Sequence, residues 1–168
     1  MGGKVAMQFA CRYPNNLDKL IIIDIAPKNY IESHVKIFQG LKAVVLKSRS
    51  RKDAGLILQN YIDDLITINF LLKGLYFSKT NQAEFKFNLS ALEQNIEALL
   101  SFVTPKYTFD SVVYFLSGSK SNYIQSSDIK YISKPFPLYK IIKIDNAGHW
   151  VHFDQKELFL DVINKILK

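Results

Sequence analysis

Cysteine is almost absent from this chain: Cys11 is the only one in 168 residues. A single thiol excludes an intrachain disulfide and makes a reducing cytosol the expected compartment. On the apolar face of a helical stretch, Cys11 reads as a small core residue rather than a nucleophile. Long hydrophobic runs are missing too. The longest, Val112 to Leu116, is strand-sized and far short of the roughly 18–20 residues of a membrane span, so no span is expected. No metal-ligand spacing of the H-E-x-x-H kind and no phosphate-binding glycine loop occur, so neither a metal nor a cofactor is expected. No signal peptide is recognisable in the opening residues.

Arginine is scarce, supplying 3 of the 22 cations behind a net charge of +7. Lysine supplies the rest, and isoleucine and asparagine are also abundant, a pattern of AT-rich coding bias. The other reading of the charge is an anionic partner such as nucleic acid, a membrane surface or coenzyme A. Lys42, Lys47, Arg49, Arg51 and Lys52 do cluster. No recognised nucleic-acid fold or interleaved aromatic motif accompanies them, so a solvated face is preferred and no nucleic-acid partner is expected.

Hydrophobic residues make up 48% of the chain, enough for a real core. Gly2 to Tyr13 reads as a helix with Val5, Ala6, Phe9 and Ala10 on one face, stopped by Pro14-Asn15-Asn16. Leu20-Ile21-Ile22-Ile23-Asp24-Ile25 is a continuous β-branched run of the kind buried on both faces of a parallel sheet. Residues 28–107 then change character. Val35, Phe38, Leu41 and Val45 predict one helix, Leu56, Ile57, Tyr61, Ile62 and Leu65 another, and Ala91 to Phe102 a third. This insert has no convincing central strand and reads as a helical cap within a single domain spanning 1–168. Strand signals return at Ser111 to Leu116 and at Tyr139 to Ile144. Asp154 and Glu157 resemble a helix N-cap and its N3 partner. Leu158, Phe159, Val162, Ile163, Ile166 and Leu167 then share one face of a last helix.

Three strands alternating with helical material predict an open parallel α/β sheet. Ligand sites in such sheets lie beyond the carboxyl ends of the strands. Asp24, Ser121 and His149 all fall just after strand ends. Acyl transfer by a serine needs a base for the hydroxyl, a carboxylate to anchor the base, and donors for the oxyanion. His149 comes after a strand, is preceded by Gly148 and leads into the last helix, which makes it the candidate base. Asp24 is the candidate acid. An acid placed after Val112–Leu116 is the alternative, but Ser117-Gly118-Ser119-Lys120-Ser121 holds no carboxylate, and Asp128 lies well into the loop. Ser121 reads as a hydrogen-bond partner of His149 or Asp24, or as a plain loop serine. His152 reads as structural and His34 as exposed.

Met1-Gly2-Gly3-Lys4-Val5-Ala6-Met7 looks like the segment immediately C-terminal to the nucleophile in the G-x-S-x-G elbow, with the serine one residue ahead of Met1. Together with Ile23-Asp24-Ile25-Ala26-Pro27, Phe70-Leu71-Leu72-Lys73, Phe85-Lys86-Phe87-Asn88-Leu89, Gly118 to Tyr123 and Ala147-Gly148-His149-Trp150, it resembles the esterase branch of the α/β-hydrolases. That branch is typified by bacterial YbfF and mammalian abhydrolase-domain-containing protein 11. The resemblance runs through the whole chain and leaves out the family's N-terminal third. It implies an incomplete α/β-hydrolase fold: the C-terminal strands of a parallel sheet with a helical cap insert.

The resemblance also implies Asp24 as acid, Ser121 as a supporting hydrogen bond to the triad, His149 as general base, and the backbone N–H of Met1 as an oxyanion donor. The function implied is a serine carboxylesterase or acyl-thioesterase acting on a small-molecule ester or thioester. Tyr30, Phe38, Phe70, Phe77, Phe85 and Phe87 would line an acyl pocket or form the core of the cap. A family domain runs to about 250 residues, so about 80–90 are unaccounted for. The nucleophile serine is absent, and a chain-initial Met1 carries an ammonium in place of an amide. The 168-residue chain alone is therefore expected to fold poorly, to leave a strand edge unpaired and to show no serine-esterase activity. The alternative is an inactive gene remnant or a non-catalytic binding module. Oligomeric state is not legible.

Overall fold

A computed structural model describes residues 1–31, 34–102 and 104–168. The helices and strands in chain order are α1 (Gly2–Arg12), β1 (Leu20–Ile23), α2 (Val35–Lys47), α3 (Arg51–Gln59), α4 (Leu65–Lys73), β2 (Leu75–Phe77), β3 (Ala83–Phe85), α5 (Leu89–Gln94), α6 (Ile96–Leu100), β4 (Val113–Gly118), α7 (Ile129–Ser133), β5 (Tyr139–Ile144), α8 (Val151–Asp154) and α9 (Lys156–Leu167). They divide into two compact units: Met1–Asn29 with Ser101–Lys168, and Tyr30–Leu100. No helix of the described residues is long and apolar enough to cross a membrane.

The first unit is built on a parallel sheet in the order β1-β4-β5. Ile22 lies beside Phe115, and Phe115 beside Ile141, so all three carboxyl ends reach one edge. The middle strand is the most deeply buried: five of the six residues of β4 are covered. β1 instead alternates, with Ile23 turned outward. The continuous apolar run at 20–25 thus does not mark a strand covered on both faces. Among the described residues β1 pairs with β4 alone.

Met7, Ala10 and Cys11 of α1 pack with Leu20, Ile22, Phe109, Phe115, Ile132 and Phe136 in one apolar core. Phe115 and Phe136 meet edge to face at 5.9 Å between ring centres, a favoured aromatic geometry. The inward face of α1 differs from the sequence expectation. Val5 is 63% and Phe9 42% exposed. Spacing of i, i+3, i+4 is met by Met7, Ala10 and Cys11 as well as by the predicted set, and the apolar count alone does not choose between two such stripes. Gly3 lies four residues before Met7, on the same stripe, and its bare Cα lets the first turn close on Ile22 and Ile25. A Cβ there would stand 2.4 Å from Ile25 Cγ2. Lys4 is tucked against Ser101, its Nζ donating to the carbonyl oxygen at 2.7 Å, and burial pushes its ammonium below the ordinary lysine range.

Cys11 takes the core position expected of it. Burial, and after it the Asp110 carboxylate, pushes its thiol up to about 11, so little thiolate forms near neutrality. The native protein is expected to leave a thiol reagent such as dithionitrobenzoate unconsumed, and to consume one equivalent once denatured.

The second unit is mainly helical, with Leu41, Val44, Ala54, Leu58, Ile68 and Leu72 at its centre. The run from Leu56 to Leu65 is not one helix. α3 stops at Gln59, and Asp64 caps α4 by accepting from Ile66 N and Thr67 N. The third predicted helix is likewise two short ones, α5 and α6, which end at Leu100. A strand pair also appears where none was expected. β2 and β3 run antiparallel, with Tyr76 opposite Glu84 and hydrogen-bonded to it through the phenol. Three residues per strand are too few to show a period of two.

Candidate active site

β1 ends at Ile23, and the next residue leaves the sheet in the left-handed region: Asp24 has φ +46°. Aspartate is among the few side chains that tolerate this backbone. The turn keeps Asp24 N on the sheet, donating to Leu116 O at 2.7 Å. The side chain is fully enclosed, with no exposed surface. A bare carboxylate there would be costly, so its hydrogen bonds decide whether it is tolerated. Oδ1 accepts from Gly118 N at 3.2 Å. Oδ2 accepts from Ser121 Oγ at 2.5 Å and lies 2.8 Å from His149 Nδ1.

Against an ionised carboxylate, which can only accept, Nδ1 carries the proton and donates. That tautomer leaves Nε2 with a free lone pair, and among the described residues Nε2 has no hydrogen-bond partner. The acid is wholly enclosed while the histidine side chain is 42% exposed. The pair therefore has a buried anchor and an open basic nitrogen.

The loop carrying His149 is fastened from two sides. On one side are residues just past β4: Ser119 N donates to Ile144 O, Lys120 N donates to Ala147 O at 2.8 Å, and Ser119 Oγ accepts from Asn146 N at 2.8 Å. On the other, Asp154 Oδ2 accepts from Gly148 N at 2.7 Å. Asp154 is thus not the N-cap of the last helix. It closes α8, and α9 begins after Gln155 without a side-chain cap.

Gly118 is where β4 and the histidine loop touch. A Cβ there would lie 2.2 Å from Gly148 O and 2.4 Å from Ala147 O, both backbone atoms that cannot swing aside. Gly118→Ala is expected to lower stability by about 1–3 kcal/mol, in line with overpacking elsewhere, and to displace His149. Urea denaturation checks the first effect and hydrolysis rates the second.

No protein-family model matches the chain. Relatives do. Over 99% of its length it is 32% identical to the mouse sn-1-specific diacylglycerol lipase ABHD11, of which it spans 56%. It is 28% identical to Esterase YbfF of Escherichia coli, again over 99% of its length, and spans 64% of that protein. A solved marine microorganism esterase superposes on 97% of the chain with a TM-score of 0.90 at 33% identity, the chain covering 66% of it. The chain belongs to the α/β-hydrolase superfamily. It falls in the branch of ABHD11 and the YbfF esterase, and it spans about half to two thirds of the length of the relatives it matches.

As a part of an α/β-hydrolase fold, the sheet edge brings together Asp24, Ser121 and His149, the three residues singled out from the sequence. Met1 is the N-cap of α1, whose first turn lies against Ile25, next to Asp24. His152 stays apart from this group and meets the rings of Trp150 and Phe159 edge on. Asp128 is engaged elsewhere, paired with Lys28 at 2.6 Å. Two contacts of the candidate site were not anticipated: the Gly118 N–H that donates to Asp24, and Tyr123, whose ring stacks on His149 with centres 3.8 Å apart. The sequence signals were that Gly118 ends β4 and that Gly118 to Tyr123 is one of the stretches that carry the resemblance; neither signal pointed to these contacts.

In the α/β-hydrolase's second unit, Phe38 is buried. Phe77, Phe85 and Phe87 pack against its core, with Phe85 and Phe87 stacked at 5.0 Å. The basic cluster is partly consumed by structure. Arg51 donates to Leu72 O and Leu75 O, and Lys42 pairs with Glu93 at 2.7 Å.

Proposed function

We propose that this chain carries the acid and base of a carboxylic ester hydrolase working through a serine acyl-enzyme. The observation that carries the reading is the Asp24–His149 pair, with Oδ2 and Nδ1 2.8 Å apart and the acid enclosed while the base is open. Relatives that are esterases and lipases support the reaction class. In this reading the nucleophile is a serine immediately ahead of Met1 in a longer protein.

His149 Nε2 takes the serine proton as Oγ attacks the ester carbonyl. Asp24 holds the tautomer and stabilises the imidazolium that forms. The peptide N–H of Met1, at the start of α1, donates to the oxyanion, aided by the positive end of that helix. His149 then returns the proton to the departing alkoxide, and water repeats the sequence to free the acid. The relatives' names favour oxygen esters over thioesters as first substrates.

The test is turnover of p-nitrophenyl acyl esters by the longer protein, before and after treatment with an organophosphate. Turnover abolished by the organophosphate is the expected result. Turnover that survives stoichiometric phosphorylation contradicts the serine mechanism.

A further inference from the structure

The hydrogen bond to Asp24 fixes one atom of the His149 ring. It leaves the imidazole free to tilt about the line from Nδ1 to Oδ2, and tilting moves Nε2, the atom that must meet the serine proton. A side chain 42% exposed is not held by surrounding core. Its boundary is Tyr123. The two rings lie face to face, 18° from parallel with centres 3.8 Å apart. Trp150 stands edge on to the ring at 6.2 Å, and the face-to-face contact is Tyr123's.

We propose that Tyr123 is a positioning residue: its ring face sets the plane of the His149 imidazole and so the direction of Nε2. This rests on the reading of His149 as the base. Tyr123 is itself indexed to the acid. Its backbone N–H donates to Ser121 Oγ at 3.2 Å, and that hydroxyl donates to Asp24 Oδ2. One short loop thereby orients both members of the pair, Ser121 through the carboxylate and Tyr123 through the ring. The function belongs to the aromatic face, so phenylalanine serves and an aliphatic side chain does not.

The experiment combines kinetics with NMR of the histidine ring. In the longer esterase, Tyr123→Phe is expected to keep kcat within about twofold. Tyr123→Ala is expected to lower kcat about 10- to 100-fold with KM nearly unchanged, the scale of a small misplacement of a catalytic group. In the unsubstituted protein, the Cε1 and Cδ2 protons of His149 should be shifted upfield by the Tyr123 ring and show cross-relaxation to its protons. Tyr123→Ala should abolish that shift.

The NMR measurement on unsubstituted protein needs no variant to fold. An imidazole without the upfield shift and without cross-relaxation to Tyr123 overturns the proposal, as does a Tyr123→Ala enzyme with unchanged kcat. Loss of kcat in Tyr123→Phe equal to that in Tyr123→Ala would also overturn it, by assigning the effect to the hydroxyl. If His149→Ala leaves hydrolysis intact, the esterase reading fails instead, while the ring shift still reports whether Tyr123 holds the imidazole.

Discussion

If the chain serves the proposed serine mechanism, replacing His149 by alanine in the longer protein is expected to lower kcat for ester hydrolysis by about 10⁶-fold, the scale on which removing the base of a serine hydrolase disables the whole triad. The loss should appear in kcat rather than KM, because in the proposed mechanism Nε2 acts on the serine proton, and it makes no hydrogen bond within the described protein. Stability should change little, since the side chain is 42% exposed, Ser121 and Gly118 still donate to the Asp24 carboxylate, and the loop is tied down by Lys120 N, Ser119 and Asp154. His152→Ala is the control. Its ring lies against Trp150 and Phe159, away from Asp24, and its kcat should stay within about twofold of the parent. Stopped-flow or steady-state hydrolysis of a p-nitrophenyl ester measures both.

Asp24→Asn is expected to cost about 10⁴ in kcat, as the corresponding change does where an aspartate fixes a histidine tautomer. The amide can present its NH₂ to Nδ1, which then must accept, and the proton moves to Nε2, where it blocks base catalysis. Asp24→Ala should do more than disable the site. It leaves Gly118 N–H, Ser121 Oγ–H and His149 Nδ1–H without the acceptor they now share. A buried donor left unpaired costs about 1–3 kcal/mol. Alanine also adopts the +46° backbone less readily than aspartate. Urea denaturation should therefore rank the parent most stable, Asp24→Asn next and Asp24→Ala least. Equal midpoints for the two variants would mean that the carboxylate does not organise this edge of the sheet.

Much of the site was legible because its residues sit at transitions between strong local patterns. Asp24 ends a β-branched run, His149 comes after a strand and a glycine, and Ser121 lies just past the strand between them in the sheet. Strand ends on one edge of a parallel sheet converge whatever the intervening sequence does. The contacts that refine the site were less legible because they are tertiary. Nothing local tells Tyr123 to lie on an imidazole 26 positions away. Asp154 has the composition of a cap, but its carboxylate is captured by Gly148 N across the α8 turn. On α1, two apolar stripes competed, and the buried one carries Gly3, where the chain around Ile25 comes close. The β2–β3 pair was too short for a pattern, and the break before α4 rested on a single capping residue, Asp64.

In the proposed mechanism Asp24 and His149 serve a serine directly ahead of Met1. A fluorophosphonate probe applied to the native protein from its own cell, with peptide mass mapping of the product, tests this most directly. The predicted result is one modified serine, on the residue that precedes Met1-Gly2-Gly3-Lys4, with labelling lost in His149→Ala. A label on any other residue, or one that persists at full rate in His149→Ala, would contradict it.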